Sequence, residues 1–242
     1  MELPMISHEI VSKEQWLEAS RELLAEEKAW TRERDRLSRK RLALPWVKVE
    51  KEYRFTGETG PVTLSELFDG RSQLVVYHFM FGPEWQEGCP GCSLLADQVD
   101  GARQHFEHRD LSFVAVSRGP IEKLQNYRQR MGWAFRWVSS AGNDFNFDLH
   151  VSFPKGTREH GVFYNFQQQP DPGVDELPGV SAFYRDEDGA IYHTYSSYAR
   201  GGEAFLPIYS WLDIAPKGRD EPKGNLSDWV KRHDRYESDG RT

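Results

Sequence analysis

Between Ser12 and Pro45 the apolar residues are sparse and regular: Trp16, Leu23, Trp30 and Leu37 recur every seventh position, with Leu17 and Leu24 widening the stripe. That period predicts one long amphipathic helix. Ser12 and Gln15 have the spacing of a capping box at its start, and Pro45 stops it. The opposite face is charged and ends in Arg32, Arg34, Arg36, Arg39, Lys40 and Arg41. This reads as a solvated helix face, with the apolar stripe packing on the body of the protein or on a second copy as a homodimer.

The pattern then changes. Val47 to Phe55 alternates loosely as a strand or hairpin arm, with Gly57 and Gly60 at the turn, and Thr63 to Phe68 reads as a helical turn. Gln73 to Phe81 is almost continuously apolar, as expected of a strand buried on both faces in a parallel sheet. Leu95, Val99, Ala102 and Phe106 step at helical spacing to about His108. Leu111 to Ser117 is a strand, Pro120 opens a helix through Met131 that Gly132 ends, and Trp133 to Ser139 is another strand. Strand, helix, strand, helix, strand calls for right-handed crossovers and parallel pairing. Val180 to Arg185 and Ala190 to Ser196 flank Asp188-Gly189, a hairpin signal. His150 to Pro178 reads as a long lid or binding loop, and Leu206 to Leu212 as a short last helix. The charged tail from Pro216 is expected to be partly disordered, with Trp229 and Val230 as anchors. The implied organisation is a helical extension over 1–44, a main domain over 45–214 and a polar tail over 215–242.

Composition narrows the function. The 242 residues carry a formal charge of −7 and a mean hydropathy of −0.72, which argues against nucleic acid as a partner. No apolar run is long enough to span a membrane, and Met1 to Ser12 lacks a signal-peptide pattern, so a cytoplasmic location is expected. In a reducing compartment, two close cysteines are more often catalytic or metal-binding than a structural staple.

The two cysteines of the chain are Cys89 and Cys92, in Cys89-Pro90-Gly91-Cys92, between the buried strand and the following helix. A thiol at a helix start faces unpaired backbone N–H groups and the positive end of the dipole, which favours its thiolate. Cys89 is therefore read as the nucleophile and Cys92 as the resolving thiol, with Trp85 and Pro90 beside them as substrate-contacting residues. Glu84 and Glu87 would oppose ionisation of Cys89 if they lay close. Cys89, Cys92, His105 and His108 superficially resemble zinc ligands. If residues 93–108 form one helix, however, His105 lies roughly 20 Å from Cys92, so no metal or other cofactor is expected. His78, inside an apolar strand, reads as a hydrogen-bonded core residue, while His193 and Tyr195 could reach the active edge or simply pack in the sheet.

The segments YHFMFGPEWQEGCPGC (Tyr77 to Cys92), MGWAFRWVSS (Met131 to Ser140) and HTYSSYARG (His193 to Gly201), with PWVKV at Pro45 to Val49, resemble a bacterial thioredoxin-like family. Its members are usually labelled as of unknown function or as predicted dithiol-disulfide oxidoreductases. The resemblance implies an α/β thioredoxin-like fold, a mixed central sheet flanked by helices with the long N-terminal helix added. It also implies thiol–disulfide exchange through Cys89 and Cys92, a protein or small-molecule disulfide as substrate and a thiol as electron donor. Pro178 is the nearest counterpart of the proline that faces the disulfide in thioredoxins. Departures are clear: Gly88 stands where thioredoxin has an aromatic residue, and Pro90-Gly91 replaces Gly-Pro. Thioredoxin-like peroxidases generally carry a threonine three residues before the reactive cysteine, a position held here by Gln86. Peroxide reduction through a Cys89 sulfenic acid is thus the second enzymatic reading, and a non-enzymatic binding protein on the same fold is the third.

Overall fold

Ser12 caps the first helix, α1 (Lys13–Leu42), through the reciprocal pair of hydrogen bonds that its sequence suggests. Arg39, Lys40 and Arg41 occupy the last turn, where cations complement the helix dipole. None of its residues is buried. The structure, a computed structural model, describes residues 8–154, 156–221 and 223–236. The backbone divides into two units, Met1–Trp46 and Val47–Thr242, and the second carries both cysteines.

That unit is built on β1 (Val47–Lys48), the hairpin β2 (Arg54–Gly57) and β3 (Gly60–Thr63), and β4 (Gln73–His78). The helix α2 (Pro90–Asp100), which Cys89 caps, α3 (Arg103–Glu107), β5 (Leu111–Ser117), α4 (Ile121–Arg130), β6 (Arg136–Ser139) and the short α5 (Phe145–Asp148) follow. The chain closes with β7 (Val162–Tyr164), β8 (Gln167–Gln169), β9 (Gly179–Arg185), β10 (Ile191–Tyr198) and α6 (Pro207–Asp213). Eight strands form one sheet in the order β1-β10-β9-β4-β5-β6-β2-β3, and β7 pairs with β8 separately. Strands β4, β5 and β6 are parallel neighbours, whereas β9 runs antiparallel to β4 and β10 antiparallel to β9. A βαβ unit joined at its first strand to an antiparallel hairpin is the thioredoxin arrangement, and the parallel core matches the periodicity of the sequence.

The alternation of β4 fixes the faces. Leu74 and Val76 enter one core with Val114, Val116, Val138, Phe145 and Phe183. Tyr77 enters the other, with Cys92, Leu95, Leu124, Tyr127, Trp133 and Trp137. His78 therefore points away from the cysteines. It is buried, its Nε2 lies 2.9 Å from Ser181 Oγ, and desolvation lowers its pKa to about 3, as suits a neutral core histidine. Ser181 continues to Ser196 and Ser196 to His193, so His193 belongs to this chain of hydrogen bonds rather than to the edge where the cysteines lie.

Several expectations are corrected. The helix after Cys92 does not run unbroken to His108: it stops at Asp100 and resumes at Arg103, with Gly101 between. Strand β6 begins at Arg136, because the N–H groups of Ala134 and Phe135 donate to Asp100 Oδ1 at 2.9 and 3.0 Å instead of joining a ladder. The stretch from Val47 to Phe55 is not one arm; β1 pairs with β10 at one sheet edge, and β2 joins β6 near the other. The presumed long loop contains the β7–β8 hairpin, whose turn residues Asn165 and Phe166 both have positive φ without a glycine to signal it. In the described part of the tail, Trp229 is the anchor that the sequence suggests: it packs against the core on the cysteine side and donates to Glu221 at 2.8 Å.

Candidate active site

Cys89 is the N-cap of α2 and Pro90 its first residue, a position where proline's missing N–H costs nothing. Both cysteines are free thiols; Cys89 is partly exposed and Cys92 buried. The Cys89 N–H donates to Met80 O at 3.1 Å, tying the loop to the end of β4, and the Met80 N–H faces Cys92 Sγ at 3.5 Å. Ser93 secures the next turn by donating to Cys89 O, and its hydroxyl lies 2.9 Å from that of Tyr127.

This geometry divides the labour between the sulfurs. A hydrogen bond from Cys92 lowers the Cys89 pKa to about 7 against the effect of burial, helped by the amides of Cys92 and Gly91 and by the charge of Arg232. Burial raises Cys92 well above the ordinary thiol value, and a charged Cys89 raises it further. The Tyr77 hydroxyl bonds to Cys92 and partly offsets that rise. Cys89 is thus the sulfur ready at neutral pH, and Cys92 holds its proton until the environment changes.

Glu87 does not oppose the thiolate as an isolated charge. Arg130 and then Arg235 hold its carboxyl below the ordinary range, and Arg232 Nη1 lies 3.0 Å from it. The same Arg232 donates through Nε and Nη2 to Gly88 O at 3.0 and 2.7 Å. Gly88 is dictated by packing: a Cβ there would stand 2.7 Å from Phe79 Cε1 and 2.9 Å from Tyr127 Cε1, leaving no room for thioredoxin's aromatic residue.

The sulfurs open into a cavity of about 360 Å³ that Pro178 also lines. Antiparallel pairing of β4 with β9 sets Tyr77 opposite Val180 and His78 opposite Gly179, which delivers Pro178 to the edge where the cysteines lie. Its preceding peptide bond is trans, as are the other described bonds. Trp85 is elsewhere. Its ring lies over Gly82, 3.2 Å from where a Cβ would be, and lines a separate recess with Arg118 and Glu176. The structure thus joins Cys89, Cys92 and Pro178 in one cavity, keeps Pro90 at the helix start, and leaves Trp85 outside the cavity.

Sequence reasoning missed Tyr77, Arg232 and Leu226. Strand alternation could have found Tyr77, since it shares a face with the helix that follows. Nothing in the tail's composition marked the other two. Glu176 was also missed: it is buried, its Oε1 has no hydrogen-bond partner, and burial raises its pKa to about 7 although Arg118 lies 3.6 Å away. Among the described residues no three histidine, cysteine or acidic side chains are grouped to hold a metal, and no helix is long and apolar enough to cross a membrane.

Solved structures with a similar backbone include peroxidoxin BcpB from Mycobacterium tuberculosis, with 15% identity over 67% of this chain and 94% of that one and a TM-score of 0.46. Another is a cysteine-to-serine mutant of peroxiredoxin Q from Xanthomonas campestris, with 16% identity over 65% of this chain and 90% of that one and a TM-score of 0.42. No curated protein matches the sequence. The family profile described as bacterial protein of unknown function (DUF899) matches residues 5–236, nearly the whole sequence, and the chain belongs to that family.

Proposed function

We propose that this protein is a dithiol-disulfide oxidoreductase. One observation carries the reading: two free thiols on the first turn of one helix, the outer accessible and the inner buried, open into a single cavity. The Cys89 thiolate attacks one sulfur of a disulfide, forming a mixed disulfide and releasing the first thiol. Cys92 gives up its proton, attacks Cys89 Sγ and releases the second thiol. The substrate gains two electrons and two protons, and the enzyme is left with a Cys89–Cys92 disulfide. A separate thiol reductant resets it.

Tyr77 is placed to bond Cys92 as its charge develops, and Arg232 to favour the Cys89 thiolate. Arg232 also favours a second reading, reduction of a hydroperoxide through a Cys89 sulfenic acid that Cys92 condenses with. The decisive experiment mixes reduced protein with a disulfide or a hydroperoxide and follows loss of thiols. Wild type should lose both thiols and the Cys92→Ser variant should trap a mixed disulfide on Cys89, while Cys89→Ser should be inert. Equal rates for wild type and Cys89→Ser would leave a binding protein as the remaining reading. Faster oxidation by hydroperoxide than by any disulfide would favour the second chemistry.

A further inference from the structure

Residues beyond α6 build part of the redox site. Gly224, Asn225 and Leu226 form one wall of the cavity, and Leu226 Cδ1 sits 2.9 Å from where a Cβ on Gly91 would be. Past Trp229, Arg232 is fastened to Gly88 O and Glu87, His233 Nδ1 lies 2.7 Å from Asp97, and Arg130 Nε lies 2.7 Å from Asp234. The tail is therefore a strap along the face of the Cys89 loop. A folded partner would have to lay its own chain there to present a disulfide.

Behind the strap the cavity is lined mainly by carbon: Tyr77, Leu95, Val180, Leu206, Tyr209 and Leu226 surround it. Its charged lining residues, Arg200 and Glu203, are paired with each other at 2.7 Å, and Arg219 Nη1 lies 3.7 Å from Glu203. A volume of about 360 Å³ lies in the range of small-molecule pockets, roughly 300–1,000 Å³. Such a lining rewards apolar surface and gives a charged or peptide-like substrate little to replace its water.

We infer that the physiological oxidant of the Cys89–Cys92 dithiol is a small apolar disulfide whose hydrocarbon body fills this cavity, not the disulfide of a folded protein. This rests on the oxidoreductase reading and adds the substrate class. The reaction is the one above: the dithiol becomes a disulfide, and the apolar disulfide becomes two thiols.

The test uses the full chain, reduced, in single turnover with alkyl 2-pyridyl disulfides of increasing alkyl length, a glutathionyl 2-pyridyl disulfide, and insulin. Rates are divided by those of free glutathione to remove intrinsic reactivity. Each methylene that enters the cavity should raise the ratio by about 4-fold until the cavity is full, and the glutathionyl compound and insulin should be slowest. Gly202 lines the cavity and a Cβ there meets nothing within 4 Å, so Gly202→Trp should flatten the series. Should that variant fold poorly, Leu206→Ala, which enlarges the cavity, should instead move the optimum to longer chains. A flat series in wild type, or insulin reduced as fast as the best alkyl compound, would overturn the inference. Inertness of Cys89 towards every disulfide would instead sink the oxidoreductase reading on which it rests.

Discussion

Replacing Cys92 by alanine removes the largest influence lowering the Cys89 pKa while leaving the amides of the first turn and Arg232 in place. A hydrogen bond to a charged acceptor contributes about 1.5–3 kcal/mol, or roughly 1–2 pKa units at 1.36 kcal/mol per unit. From about 7, Cys89 should therefore rise to about 8.5. At pH 7 the thiolate fraction falls from about one half to about 3%. The more basic thiolate is also the better nucleophile: with a Brønsted slope of about 0.45, its intrinsic reactivity rises about 5-fold. Alkylation by iodoacetamide should then be about 3-fold slower than wild type at pH 7 and about 5-fold faster at pH 10, with the two profiles crossing near pH 8. Because Cys92→Ser keeps a hydroxyl donor, its profile should lie between the two. The assay is the pH dependence of the alkylation rate, with Cys89 identified as the modified residue by mass spectrometry. A Cys92→Ala profile superimposable on wild type would refute the assignment and leave the helix terminus and Arg232 as the source of the low pKa.

Arg232→Gln should also raise the Cys89 pKa, by less than Cys92→Ala because the charge of Arg232 is the smaller influence, and the same alkylation profile measures it. Glu176 has a folded pKa raised to about 7 from 4.5, so the folded state binds more protons between those values; its contribution to stability is lost as pH rises through that window, by about 3 kcal/mol in all. Glu176→Gln should abolish that decline in urea unfolding measured between pH 4.5 and 7.5. His78 has the opposite sign. Its pKa is lowered from 6.5 to about 3, so stability present above pH 6.5 is lost on acidification, by about 5 kcal/mol as a ceiling, and His78→Asn should flatten the acid limb of the same curves. Gly88→Ala should cost about 1–3 kcal/mol in urea unfolding, because the new methyl group meets the Phe79 and Tyr127 rings.

The order of elements was legible in the sequence because local rules fix it. A nearly continuous apolar run makes β4, the 3.6-residue period makes α2 and α4, and the capping residues start α1. The thiol pair was legible for the same reason, since a CxxC motif after a strand sets both sulfurs on one helical turn whatever surrounds them. Boundaries failed where distant groups competed for the backbone, as Asp100 does for the amides that would have opened β6.

What surrounds the sulfurs depended on the tertiary structure. Tyr77 reaches Cys92 because strand and helix share a face. Pro178 reaches the cavity through the register of β9 on β4. Arg232, 140 positions after Cys92, reaches Gly88 only because the tail folds back over the loop. A polar, proline-punctuated segment has no periodicity with which to announce a docking place. Its position is set by ion pairs and a leucine contact with residues far away in the sequence, and such pairings exist only once the chain has closed on itself. The thiol pair is therefore a property of local sequence, whereas its electrostatic setting and the shape of the cavity beside it belong to the assembled fold.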